Sequence, residues 1–361
     1  MAADPHAERS RALRPTLVRG LAAAAGPWVA VVGLAALVHF ALGPLLPGYY
    51  AKILMDVGIA VVLGVSLNLV NGFTGQFSIG HAGFMAVGGY VAGTITYYGH
   101  YRWLGGPAVV GGLLGPSSAL FVVGALAGGL AAAAAGYVVG LPSLRLRGDY
   151  LAIVTLGFGE IVRVLIQRTN DVLFLPDEIA KASWWSLATA VGGSLGFNGI
   201  PFLTNLFWVW LTVGALLLLS YRLKASDQGR GFLAIREDEI AAEAMGVPTT
   251  RLKVRAFVYA AFFAGLAGAL FAHEVGTTLN PRELGFAKSF EVVIMVVLGG
   301  MGSISGTVVA AFLLTVLPEL LREFSEYRMI AYAMVLVLMM LFRPQGLFGV
   351  REIWEIGRRK R

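Results

Sequence analysis

The chain has no cysteine. Disulfide frameworks, thiolate metal sites, iron–sulfur clusters and cysteine nucleophiles are excluded together. Charge is also scarce, at 14% of residues, against ~25% in a soluble domain. With 57% hydrophobic residues, the low charge excludes disorder as well, because disordered chains are poor in apolar side chains. A Walker-type phosphate loop needs Gly-Lys, and none of the six lysines (Lys52, Lys181, Lys224, Lys253, Lys288, Lys360) follows a glycine. There is no His-Glu-x-x-His, and the histidines (His6, His39, His81, His100, His273) are scattered. No residue set supports catalysis or a metal site. The 47 glycines follow no Gly-X-Y period, which excludes collagen.

What is present is apolar sequence, with a mean hydropathy of +0.74. Runs at 28–46, 53–70, 84–97, 109–139, 151–166, 206–221, 256–272, 292–300, 308–321 and 329–342 predict an all-α, polytopic transmembrane bundle of about 8–10 spans. The first run starts too late and runs too long for a signal peptide. The run at 292–300 is too short for a straight span at 1.5 Å per residue, so a broken or re-entrant helix is expected there. The domains follow: a basic tail at 1–27, a membrane domain at 28–343, and a basic tail at 344–361.

The charges test the threading. With the N-terminus inside, the stretches 1–27, 141–149, 222–255 and 343–361 are cytoplasmic and hold 19 of the 28 basic residues. This is the positive-inside asymmetry. The pI of 9.7 is then mostly a topology signal, with no nucleic-acid partner implied. Two loops exceed connectors. The outward loop at 169–204 carries Gly-rich turn chemistry between Val191 and Pro201. The inward loop at 222–255 carries helix formers and a Gly246-x-Pro248 stop. It predicts one short, charged helix with a strip of Ile240, Ala241, Ala244 and Met245. Such a strip is either a solvated face or a docking surface for a groove.

Polar residues inside apolar runs are expensive and face a bundle interior or a wet path. Glu160 and Arg163 stand at i, i+3 and can pair, either to fix helix packing or to line a path. Asn68, Asn71, Gln76 and His81 surround a break at 72–80, and irregular backbone at membrane depth belongs inside protein or along a cavity. His81 reads first as a packing residue. A second Gly/Ser break lies at 299–306.

Several stretches resemble the branched-chain amino-acid ABC transporter permeases of the LivM type. They are Ala234–Gly246 with Ala256-Phe257 and Ala261–Leu270, the early motif Asn68–Ala82, and Leu144–Tyr150 with Thr155–Arg163. Leu298-Gly299-Gly300-Met301-Gly302-Ser303 and Arg343-Pro344-Gln345-Gly346-Leu347-Phe348-Gly349 also match. The resemblance covers roughly 50–350. Ile240 stands where the related EAA loop of importers usually has Glu. The resemblance implies a non-enzymatic permease subunit of an inner-membrane importer with both termini cytoplasmic. It implies a second, LivH-type permease, two ATP-binding subunits that hold ATP and Mg, and a soluble binding protein, with no cofactor in this chain. Arg236, Glu237, Glu239, Ile240, Ala241, Ala242, Glu243 and Gly246 would form the ATPase-coupling helix. Asn68, Asn71, Gln76, His81, Glu160 and Arg163 would line or gate the path. Branched-chain amino acids are the implied cargo. Urea or a short amide within the same family, and a stand-alone secondary transporter, remain alternatives.

Overall fold

Apolar side chains at every helical phase produce helices buried from all sides or facing lipid, and both kinds occur. The computed structural model describes residues 25–107, 115–143, 150–276 and 278–324, with isolated positions at 113 and between 330 and 353. The expected N-terminal tail up to residue 24, the motif at 144–149, more than half of the last span at 329–342 and most of the C-terminal tail lie outside the described residues. Long helices are α1 (Ala25–Leu45), α2 (Gly48–Asn71), α3 (His81–Trp103), α4 (Pro116–Ser143), α5 (Tyr150–Gln167), α8 (Leu206–Ala225) and α11 (Thr249–Val275). Among the described residues six of these are long and apolar enough to cross a membrane. The exception is α3, which is 23 residues long but diluted by Gly, Thr, Tyr and His.

The short runs resolve as expected into a broken pair. α12 (Phe286–Gly299) and α13 (Ile304–Leu320) pack together around a tight turn at 300–303. Gly300 and Gly302 sit at φ +105° and +93°, a region other residues avoid. Ser303 caps α13 by accepting from the Gly306 N–H at 3.0 Å.

The centre of the bundle is α2, α3, α4 and α11. Glycines at three contacts let the last three touch backbone to backbone. A Cβ on Gly88 would lie 2.2 Å from the Gly265 carbonyl, one on Gly128 2.4 Å from the Gly88 carbonyl, and one on Gly268 1.9 Å from the Met85 carbonyl. Small residues at a crossing are how membrane helices approach closely. At the rim, α1 packs on α8 and turns Val29, Leu34, Leu37 and Phe40 outward.

The loop at 169–204 is more structured than turn chemistry alone. It holds α6 (Pro176–Lys181), α7 (Trp184–Thr189) and β1 (Phe197–Asn198). Pro176 at the first position with Asp177 and Glu178 behind it starts α6. Ser183 caps α7. β1 pairs antiparallel with β2 (Thr278–Leu279). The hydroxyl of Tyr90, midway along α3, donates to the Leu279 carbonyl at 2.7 Å. The loop therefore folds down onto the bundle, with Phe197 against Tyr97 and Tyr98.

Candidate functional site: two chain breaks wired to a helix pair

The segment between α8 and α11 is two helices where the sequence predicts one. α9 (Asp227–Glu237) and α10 (Glu239–Ala244) are separated by Asp238. Asp238 has extended backbone, and its carboxylate accepts from the N–H groups of Ile240 and Ala241 at 2.9 and 3.0 Å. An N-cap in mid-segment ends one helix and begins the next. Gly246, at φ +84°, closes α10. Phe232 and Ile235 anchor α9 in the core, and Ala242 anchors α10. Glu237, Ile240, Ala241, Glu243, Ala244 and Met245 face outward. The apolar strip lies open on the surface, with Ile240 65% and Met245 84% exposed.

Three polar ties hold this end of the bundle, two from the helix pair and one from the end of α8. Arg236 Nη1 donates to the Gly72 carbonyl at 3.0 Å, and its side chain packs beside Gly75 and Gly302. Lys224, at the end of α8, donates to the Gly302 carbonyl at 3.2 Å and to Glu352 at 2.6 Å. Lys253, on α11 and with a side chain only 1% exposed, lies 2.5 Å from Glu239 of α10. Thus α9 grips the first break, the end of α8 grips the second, and α10 grips the central helix.

The two breaks are also joined to each other. Asn68 Nδ2 donates to the Ser303 carbonyl at 3.0 Å, and its Oδ1 accepts from the Gly302 N–H at 2.9 Å. Asn71 closes the first break by accepting from the Ser78 N–H at 3.1 Å and donating to the Ser78 carbonyl at 3.3 Å. The Gln76 N–H reaches the Val70 carbonyl at 3.3 Å, with a half-buried side chain. His81 Nε2 lies 2.8 Å from Ser66 Oγ, whose own hydrogen goes to the Leu63 carbonyl. Of the six polar residues read as path candidates, Asn68, Asn71 and His81 are thus buried and spend their polar groups inside the protein.

Glu160 and Arg163 pair as their spacing predicts, with Arg163 Nε 2.7 Å from Glu160 Oε2. The other oxygen of Glu160 accepts from the Phe286 N–H at 3.1 Å. A carboxylate at the first N–H of α12 meets the positive end of that helix, so the pair ties α5 to α12.

Sequence reasoning missed Lys224, Lys253 and Glu352. The first two count only as topology signals in a linear reading. Glu352 accepts from the N–H groups of Ile304 and Ser305 at 3.2 and 3.0 Å and from the Ser305 hydroxyl at 2.6 Å. Burial works against its ionisation, but the hydrogen bonds from Lys224 and Ser305 prevail and hold its carboxyl below the ordinary value of 4.5.

A bundle of apolar helices carrying a tethered helix pair at one end defines an integral membrane protein. The family described as "Branched-chain amino acid transport system / permease component" matches residues 49–343, and the chain belongs to that family. It is 41% identical over 306 residues to the high-affinity branched-chain amino acid transport system permease protein LivM of Salmonella typhimurium, covering 80% of this chain and 67% of the relative. It is 40% identical over the same shares to LivM of Escherichia coli K12. LivH of Salmonella typhimurium is 30% identical over 182 residues, 50% of this chain and 58% of that protein. No solved structure matches the chain.

Proposed function

We propose that this chain is one permease subunit of an ATP-driven importer of branched-chain amino acids, and that α9 and α10 carry the motor's movement to the membrane helices. It sits in the inner (plasma) membrane with both termini in the cytoplasm. A LivH-type permease completes the translocation path, two separate ATPase subunits bind ATP and Mg, and a soluble binding protein delivers the cargo from outside. The observation that carries the reading is the position of α10. Its outer face offers Ile240, Ala241, Ala244 and Met245, while its inner side is tied through Glu239 to buried Lys253. A groove on a partner can accept the apolar face. A push on it travels through Glu239–Lys253 to α11, through Arg236 to the first break, and through Lys224 to the second. Polar ties in a low-dielectric setting keep their length under load, so the handle moves with the bundle. In this role Asn68, Asn71, Gln76 and His81 hold the breaks in shape, and Glu160–Arg163 keeps α12 in register beside the path.

The test is uptake by the assembled complex in proteoliposomes. ATP-dependent entry of labelled leucine, isoleucine and valine is expected, unaffected by a protonophore. Entry that follows the proton gradient and ignores ATP contradicts the importer. Entry of urea or a short amide in place of leucine contradicts the cargo. Ile240→Asp with Met245→Asp, both on the surface, is expected to release the ATPase chains while the permease pair stays intact on gel filtration.

A further inference from the structure

At the end of the bundle opposite α9 and α10, seven charged side chains gather between α2, α11, α12 and the end of α13: Lys52, Asp56, Glu274, Lys288, Glu291, Glu319 and Arg322. Lys52 Nζ lies 2.5 Å from Glu274 Oε1 and 3.4 Å from Asp56 Oδ2. Lys288 Nζ lies 3.0 Å from Glu291 Oε2. Glu319 accepts from the Tyr49 hydroxyl. The side chain of Glu274 is 1% exposed, and its second oxygen has no hydrogen-bond partner among the described residues. Asp56, Lys288, Glu291 and Glu319 line a cavity of about 200 Å³, closed on its other side by apolar residues including Ile59 and Leu314.

Depth makes this arrangement informative. Asp56 is eight residues into α2, about 12 Å along its axis. α2 has 24 residues and is about 36 Å long, against a ~30 Å hydrocarbon core. Asp56 therefore lies well below the membrane boundary, and charge at that depth does not face lipid chains. This side of α2, α12 and α13 belongs to a water-filled path or to a covered seam. Four carboxylates against Lys52, Lys288 and Arg322, which stacks over the Tyr49 ring beside Glu319, leave the cluster one positive charge short, while Lys288 supplies a cation at the cavity wall. Both signs stand beside an aliphatic surface, in a half-open space that admits a small organic molecule.

We propose that this cavity is a transit site for a zwitterionic aliphatic α-amino acid. The ammonium group meets Asp56 and Glu319, the carboxylate meets Lys288, and the side chain lies on Ile59 and Leu314. A neutral amide leaves the charges unmatched. The inference rests on the importer reading above and deepens it by placing the cargo.

The experiment measures ATP-dependent leucine uptake by the full complex in proteoliposomes, scaled to the amount assembled. Lys288→Met and Asp56→Asn are each expected to lower uptake at least tenfold, and Lys288→Arg to recover it to within about threefold of the wild type. Thr315→Leu, which narrows the cavity and keeps every charge, is expected to raise the KM for leucine more than the KM for valine. Should a charge variant fail to assemble, the Thr315→Leu comparison decides alone. Undiminished uptake in Lys288→Met and Asp56→Asn, no rescue by Arg, or equal KM changes for leucine and valine would overturn the site while leaving the importer standing. A wild-type complex that moves no branched-chain amino acid overturns both.

Discussion

Two regions of the molecule are held together by opposite means. At the crossing of α3, α4 and α11, backbones meet through glycines at Gly88, Gly128 and Gly265, with one buried polar contact, Thr96 to His273 at 2.7 Å, farther along α3 and α11. At the end that carries α9 and α10, contact is made by long polar side chains that span gaps between backbone carbonyls and helix faces. The crossing depends on size, because nothing larger than hydrogen fits. The tethered end depends on chemistry, because each tie has one donor and one acceptor. The lesson is that close packing and polar tethering are separable here. A substitution that adds bulk breaks the first, and one that removes a functional group breaks the second.

The largest effect is expected at the crossing. Gly88→Val places side-chain atoms within 2.2 Å of the Gly265 carbonyl, and overpacking against immovable backbone costs about 3 kcal/mol or more. Loss of folded protein in detergent is the expected readout. Gly157→Ala is the control, because a Cβ there meets nothing within 4 Å. It is expected to raise stability by up to ~1 kcal/mol, as Gly to Ala does in a helix.

Next comes the joint between the breaks. Asn68→Ala leaves the Gly302 N–H unpaired in a buried place, at about 1–3 kcal/mol, while the Ser303 carbonyl keeps its bonds from Thr307. A lowered Tm with the fold retained is expected. Arg236→Ala removes a single tie at the surface of the bundle and changes Tm little. Its effect falls on coupling, with ATP hydrolysis continuing and uptake per ATP falling at least tenfold. If the two readouts fall together in Arg236→Ala, the separation between the regions fails.

The smallest effect concerns Glu352. Its folded-state pKa is depressed, so its contribution is fully present above the unfolded value and is lost as pH falls through the folded one. Between pH 8 and pH 5 no change in stability from this group is expected. Below the ordinary carboxylate range the tie to Lys224 and Ser305 loosens, and Glu352→Gln abolishes that acid-dependent component. Stability measured against pH in the two proteins checks it.

Much of this was legible in the sequence, and the reasons differ by region. The spans were legible because burial in lipid demands long apolar runs, and α12 and α13 because glycine and serine interrupt such runs. The position of the helical segment between α8 and α11 was legible from its local helix formers and its Gly-x-Pro stop. The division at Asp238 was not, because a capping aspartate inside a charged stretch looks like one more surface charge. The ties themselves were invisible for a simpler reason. Arg236 and Gly72 are 164 residues apart, Lys224 and Glu352 are 128 apart, and Lys52 and Glu274 are 222 apart. No periodicity links such pairs. Glu160 and Arg163 were legible as a pair because one helical turn brings them together, but their third partner, the Phe286 N–H, was not.

The central claim is that α10 and the turn at 300–303 move as one body. The chain has no cysteine, so spin labels on Glu243→Cys and Met301→Cys, both exposed positions, read their separation without background from this subunit. Double electron–electron resonance on the assembled complex should give the same distance, within about 2 Å, with and without ATP. A nucleotide-dependent change well beyond that would show the handle sliding over the breaks and would contradict the account.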